Sequence, residues 1–336
     1  MAQQEPKSSP RNNEAKLREL PHYLVGKENG RRMAAPPPIA TSTPIAATAN
    51  EFIEQQLDER LRAIEGEFDS HSVSFCGPLL FSIDDILRAA VEKRHAQAPA
   101  KDRLIVVLTT TGGYIEVVQR MVATLRRHYQ VVEFIVPNYA YSAGTVFVMS
   151  GDAIHMDYYS RLGPIDPQLE TQQGRMVSAL GLLEKYNALI EKAQAGTITT
   201  AEVQLLIDGF DQAELYHYEQ ARDLSVVLLE EWLVKYKFKN WNVTETQHIP
   251  VTDQMKKDRA SSIANELNNT KKWHSHGYGI SMDVLQRDLK LLIDDYGQKQ
   301  TLSDKIRGYH DLLSDYMVKR DSDGVIHIPG DYRSFM

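Results

Sequence analysis

A single cysteine, Cys76, occurs in 336 residues, which excludes an intrachain disulfide framework and any zinc site built on several thiolates. Long apolar runs are missing too: the longest unbroken aliphatic stretch, Leu104 to Leu108, is five residues, against the roughly 20 that a membrane span needs. Nor is there an excess of positive charge. Lysine and arginine number 38 against 45 acidic residues, a net of −7, so the chain carries no electrostatic footprint for nucleic acid or an anionic membrane. Neither GxxxxGK[ST] nor GxGxxG occurs, so the phosphate-loop and dinucleotide signatures are absent and no cofactor is expected. The start of the chain lacks the continuous apolar core of a secretory signal. Together with the lone thiol, this gives the expectation of a soluble, cytoplasmic protein.

What is present is ample for a buried core: 42% of residues are hydrophobic and 25% charged. Residues 1–49 hold seven Lys/Arg and four Glu, which leaves the remainder at a net of −10. Within that start, AAPPPIATSTPIAATA (34–49) has no periodic apolar pattern and buries too little surface to offset its ordering entropy. Residues 1–49 therefore read as a flexible arm. From residue 50 onward strand-like and helix-like patterns alternate, which argues for an α/β fold with a largely parallel sheet. The main domain is read over 50–300, with a mostly helical segment at 176–240, and 301–336 as a C-terminal extension.

Within the domain, Glu51 to Ile64 reads as an amphipathic helix, Ser72 to Cys76 as a strand, and Ile83 to Arg94 as a helix with Ser82 at its N-cap. RLIVVLTT (103–110) is the pattern of a strand covered on both faces. A helix over 114–129 places Ile115, Val118, Val122 and Leu125 on one stripe, and strands follow at 131–137 and 154–156. Further helices are read over 177–192, 200–207, 212–238 and 252–267, and from Ser281 to Asp295 after KKWHSHGYGI (271–280).

Two strand ends carry sequence suited to chemistry. In Thr109-Thr110-Thr111-Gly112-Gly113 the glycine pair lets the backbone adopt conformations closed to other residues and turn free amides outward, where they stabilise a developing oxyanion. The same pair also serves as an ordinary tight turn. In Tyr141-Ser142-Ala143-Gly144-Thr145 the serine precedes an apolar helical run, so its hydroxyl either caps the helix or faces a cleft. Consecutive parallel strands would bring these two ends side by side, the usual place for a site in an α/β sheet.

TTTGG (109–113), YSAGT (141–145) and MDYYSRLGPIDPQ (156–168), in that order, resemble the Clp-type protease and crotonase superfamily. Most closely they resemble the serine dehydrogenase proteinase family, relatives of signal peptide peptidase A. The likeness covers roughly residues 70 to 295. It implies a Clp/crotonase-like spiral of β-β-α units with added C-terminal helices, and Ser142 as the nucleophile of a serine peptidase. It further implies an oxyanion hole from the Gly113 and Ala143 amides, a peptide or protein substrate, and a homo-oligomer of rings or stacks.

The general base departs from the Clp pattern. A Clp-type protease carries its histidine soon after the strand that follows the nucleophile, where this chain has Gly163-Pro164-Ile165-Asp166-Pro167. A serine hydroxyl needs a base within hydrogen-bond reach, and signal peptide peptidase relatives use a desolvated, neutral lysine. Lys185 and Lys192 are the lysine candidates; Lys185 lies between apolar stretches, though beside Glu184 it also reads as a solvated lysine. His276 is the histidine candidate, near the nucleophile if the superfamily geometry holds, or else a loop residue of the turn marked by Gly277 and Gly279. His274 and His276 lack a carboxylate or thiol at ligand spacing, so no metal is expected. His155, on a strand, reads as packed or solvated, and an aspartate such as Asp166 is ordinarily too acidic to take a serine proton.

Two other readings remain open at this point. A crotonase-type acyl-CoA hydratase or isomerase would need carboxylates near Gly113, of which Glu116 is the nearest by sequence. An inactive ring-forming scaffold would use Ser142 only as a cap, with the arm and the long helix at 212–238 for partner contacts.

Overall fold

The computed structural model describes residues 48–165, 168–170, 176–210, 212–275 and 277–335. The arm read at 1–49 lies outside them up to residue 47, and so do Asp166, Pro167 and His276. The first helix, α1 (Ala49–Phe68), opens on a capping box in which Thr48 Oγ1 accepts the Glu51 N–H at 3.2 Å and the Glu51 carboxylate accepts the Thr48 N–H at 3.0 Å. Leu57, Leu61 and Ile64 form its buried stripe. Then come β1 (His71–Cys76), α2 (Ile83–His95), β2 (Arg103–Thr109), α3 (Ile115–His128) and β3 (Val131–Ile135). A short β4 (Tyr139–Ala140) leads into α4 (Ala143–Met149), followed by β5 (Ala153–Met156), β6 (Arg161–Leu162), β7 (Gln168–Glu170) and β8 (Met176–Ser178).

The helical segment comprises α5 (Ala179–Gln194), α6 (Thr200–Asp208) and α7 (Gln212–Trp232), which runs on through a π turn at Leu233–Lys237. After α8 (Asp253–Leu267) and α9 (Thr270–Trp273) come β9 (Ile280–Ser281), α10 (Met282–Arg287) and β10 (Asp294–Asp295). The chain closes with α11 (Gln300–Lys319) and the hairpin β11 (Gly324–Ile328) and β12 (Asp331–Phe335). Among the described residues no helix is long and apolar enough to cross a membrane.

Seven strands form the central sheet in the order β10-β5-β3-β2-β1-β11-β12; the first five are parallel, and β11 joins β1 antiparallel. Alternation along the strands feeds two cores. Leu104, Val106 and Leu108 of β2 pack with α2, α3 and α4, whereas Ile105 and Val107 face a second core with Leu57, Leu61, Tyr309 and Leu313 of α1 and α11. This is the strand buried on both faces that the uninterrupted aliphatic run implied. Residues beyond 300, set apart in the sequence as an extension, supply two strands to this same sheet and one of the helices that cover it.

Three times the chain runs strand, short bridging segment, helix. β1 is followed by Leu79, which bridges to Gly113, and then α2; β2 by Thr110, which bridges to Ala140, and then α3; β3 by β4 and then α4. The bridging segments continue into a small sheet, β4-β6-β9, beside the carboxyl ends of the large one. This is the α/β spiral of β-β-α units with added C-terminal helices that the motifs implied.

Two local readings are corrected. Ser82 does stand at the N-cap of α2, but its backbone is left-handed (φ 75°) and its hydroxyl makes no cap bond. The first turn is held instead by Asp84, whose carboxylate lies 2.7 Å from Arg120 of α3. The helix read from Ser281 to Asp295 ends at Arg287. Lys290 takes a positive φ of 49°, and Leu289, Leu291 and Ile293 are buried while Lys290 and Leu292 are exposed. That alternation is the signature of extended chain leading into β10.

Two polar clusters tie helices to the sheet. Glu65 Oε1 accepts the Ser72 N–H at 2.7 Å and Arg94 Nη2 at 2.8 Å, all three groups being buried. Asp152 Oδ2 accepts Arg126 Nη1 at 2.6 Å and the Val132 N–H at 2.8 Å, and Lys239 pairs with its other oxygen. Burial alone raises the Asp152 pKa, but the bonds from Lys239, Val132 and Arg126 outweigh it and hold the carboxyl below its ordinary value.

Glu65→Ala leaves Arg94 buried without its partner and should cost about 3–5 kcal/mol, read as a fall in the urea midpoint. Asp152 binds its proton less tightly when folded, so its stabilisation is present above the ordinary carboxylate pKa and is lost as pH falls through the lowered folded value. Asp152→Asn should accordingly flatten the decline of stability with acid below about pH 4, measured by urea titration at a series of pH values.

Candidate active site

The site is built where β2 leaves the central sheet. Thr110 fastens this end to the approach of β4: its N–H donates to Tyr139 O and its carbonyl accepts the Tyr141 N–H, both at 3.0 Å. Gly112 and Gly113 follow with φ of 100° and 149°, which residues with a Cβ rarely adopt. A Cβ on Gly113 would meet Leu79 O at 2.2 Å. Leu79 donates to Gly112 O at 2.8 Å and accepts the Tyr114 N–H at 2.9 Å. These two bonds flank Gly113, so its own N–H points away from Leu79, and the residue is exposed.

The second half is the turn between β4 and α4. Ser142 has φ 53° and ψ −123°, the conformation of the first central residue of a type II′ turn, where glycine normally sits. The turn is closed by Gly144 N–H to Tyr141 O and Thr145 N–H to Ser142 O, each 2.8 Å. Although Ser142 occupies the N-cap position of α4, its hydroxyl accepts no capping bond, so the plain capping role weighed for it does not hold. Such a strained strand-to-helix turn is the geometry that carries a nucleophilic serine at a sheet edge, and in the single chain Ser142 is buried, 5% exposed.

The two halves touch. A Cβ on Gly112 would come within 2.8 Å of Ser142 Cβ and 3.4 Å of Ala143 N. A Cβ on Gly144 would meet Thr110 Cγ2 at 2.4 Å. Thr145, fully buried, fixes the far side: its Oγ1 lies 2.8 Å from Ala140 O and accepts the Gly163 N–H at 2.9 Å. The glycine turn, the serine turn and the Gly163 segment are therefore one rigid unit.

Residues 69–207 match the family model of the ClpP-like SDH-type serine proteinases. That stretch is similar to the serine dehydrogenase proteinase family. Two uncharacterized proteins of Methanocaldococcus jannaschii are similar to the chain. One is 31% identical over 46% of this chain and 53% of its own length, the other 27% identical over 35% and 38%. The chain thus spans about half the length of the first of these relatives and less of the second. Among solved structures, a mutant of the 1510-N membrane-bound stomatin-specific protease aligns over 69% of this chain and 81% of its own, at 11% identity and a TM-score of 0.39.

Within the proteinase stretch lie Ser142, Gly113, Ala143 and two of the lysines weighed as base. Lys185 is exposed on α5, which packs against β8, α6 and α7. Lys192, on the same helix, is exposed and pairs with Glu202 at 2.5 Å. Beyond the proteinase stretch, His276 lies outside the described residues, and His274 is exposed with a φ of 59°.

His155 is packed, as its strand position suggested. Its Nε2 lies 2.9 Å from Glu133 Oε2, and its ring stands edge-on to Phe68. Glu116 is half-buried in the first turn of α3. Among the described residues no group of three or more His, Cys, Asp or Glu could hold a metal ion.

A lysine that the sequence did not single out is Lys237, on the π turn, where burial pushes its pKa down to about 8 against the pull of Asp294, Glu133 and Asp152. Those acids lie along β3, just before β5 and on β10, whereas Ser142 follows the carboxyl end of β3 through β4. A lowered pKa therefore does not make Lys237 the base. No local signal marks it, because its burial follows from how the π turn seats on the sheet.

If strain at Ser142 is intrinsic to the site, Ser142→Gly should be more stable than Ser142→Ala by about 1–2 kcal/mol, the reverse of their usual order. Thermal or urea unfolding of the two variants checks this. Equal stabilities would mean that the turn relaxes without its serine.

Proposed function

We propose that the chain is a serine peptidase acting through Ser142. The observation that carries this reading is the backbone of Ser142, held at φ 53° and ψ −123° against Gly112. Ser142 Oγ attacks the scissile carbonyl carbon while its proton passes to the base. The carbonyl oxygen becomes an oxyanion that accepts hydrogen bonds from the Gly113 and Ala143 amides, each such donor being worth about 3–4 kcal/mol. Ala143 is the first residue of α4, so its N–H has no partner within the helix. Collapse expels the amine, which takes the proton from the base, and water then releases the acyl group by the same steps reversed. The reaction uses no cofactor and no ATP.

The base is Lys185 or His276. A lysine acts as a base only when desolvated, and Lys185 is exposed in the single chain. If it is the base, a second copy or the substrate must cover it. On the helices that α5 packs against, Leu205 and Ile207 of α6 and Tyr216 of α7 are 48%, 68% and 62% exposed, apolar side chains of the kind that oligomer contacts bury. A homo-oligomer is accordingly part of this reading.

A fluorophosphonate should label the protein at Ser142 and leave Ser142→Ala unmodified. Peptide or acyl-ester hydrolysis should vanish in that variant with circular dichroism unchanged. Of Lys185→Ala and His276→Ala, the one that removes the base should lose about a thousandfold in kcat. Equal labelling of Ser142→Ala would sink the assignment of the nucleophile.

A further inference from the structure

At the carboxyl ends of β1 and β2, on the α11 side of the sheet, lies a cavity of about 280 Å³. Its walls include Cys76, Thr109, Thr111 and Tyr139 from the strand ends, Ser314 from α11, and Asp323 from the turn into β11. We propose that this cavity receives a lysine or arginine side chain of the substrate polypeptide, with Asp323 as its charge partner. The proposal rests on the peptidase reading and names a substrate class for it.

Size is the first argument. Small-molecule pockets span roughly 300–1,000 Å³, so this one sits at the lower bound and suits a single side chain better than a nucleotide or coenzyme. Chemistry is the second. The walls mix threonine and serine hydroxyls with the apolar side chains of Pro78, Met317 and Val318, and Asp323 is the one charged residue on them among the described residues. An anion would meet that carboxylate with no cation to offset it. A purely aliphatic group would pack on Met317 and Val318 but leave the hydroxyls and Asp323 without a donor. An ammonium or guanidinium donates to hydroxyl and carboxylate oxygens alike. Asp315, next in sequence to the Ser314 wall, is already engaged with Lys319 at 2.5 Å. Among the described residues no cation pairs with Asp323, which is exposed at the mouth.

Position is the third argument. Thr111 stands two residues before Gly113, and Tyr139 three before Ser142, with the Tyr139 and Tyr141 rings stacked at 5.0 Å. At roughly 3.3–3.6 Å per extended residue, these walls lie within roughly 7 Å and 11 Å of the oxyanion donor and the nucleophile. A substrate chain held at Ser142 covers that span with two or three residues, so a side chain close to the scissile bond reaches the cavity.

The test uses the full chain carrying Ser142→Ala, so that binding is read without turnover. Fluorescent peptides differing at one position, Lys, norleucine or Glu, are scanned along the sequence and titrated by anisotropy. At one position the Lys peptide should bind about tenfold tighter than its norleucine twin. Adding Asp323→Asn should bring that ratio close to one, and Asp323→Lys should turn the preference toward Glu. No Lys preference, or a ratio unchanged by Asp323→Asn, overturns the pocket. Hydrolysis of a small acyl ester by the unsubstituted chain reads Ser142 separately: its absence sinks the peptidase reading, while its presence without a Lys preference sinks only the pocket.

Discussion

The close approach of Gly112 to Ser142 governs the rest of the site. Thr110 exchanges two backbone hydrogen bonds with the β4 approach, so the turn after β2 and the turn after β4 have nowhere to go but against each other. The contact leaves no room for a side chain at Gly112, whose built Cβ would also strike Tyr141 O at 2.7 Å. It leaves Ser142 in a backbone region where side chains are unwelcome. Gly144 follows from the same crowding, because the Thr110 methyl occupies the space that its Cβ would need. Strain of this kind, of order 1–3 kcal/mol, persists only where surrounding structure over-determines it. Here the large sheet, the small sheet and the Thr145 hydroxyl together supply that determination.

Much of this was legible in the sequence because it is local. An uninterrupted run such as Leu104 to Leu108 has no polar face to offer solvent, so a doubly covered strand was the natural reading, and both cores draw on it. The glycine pair and the small residues around Ser142 announced tight turns at the ends of neighbouring strands, and their pairing followed from parallel order alone. Where the sequence misled, two periods competed. Leu289 to Ile293 is aliphatic enough for a helix, but every second residue is buried, and the left-handed Lys290 breaks any helical continuation. Ser82 has the right side chain for a cap on a backbone that turns it away.

What the sequence withheld is non-local. The Glu65–Arg94 pair joins α1 to α2, and nothing at either position marks its partner. The antiparallel return of β11 to β1 pairs the last described strands with the first, a register that no short-range pattern encodes. The choice between Lys185 and His276 belongs to the same class, since a base is defined by what surrounds it. Ser142 and Gly113 come from two adjacent turns; in the proposed reaction, the base comes from farther along the chain or from another chain.

That antiparallel return sets an order of events during synthesis. β1 runs directly into Gly77, Pro78 and Leu79, and Leu79 is the residue that braces the Gly112–Gly113 turn. A ribosome delivers Ser142 and both glycines long before it delivers β11 and β12, so a half-made chain holds both turns while the outer flank of β1 is still bare. The hairpin is a late-arriving keystone: the flank of β1 that leads to the Leu79 brace is covered only after almost the whole described chain has emerged.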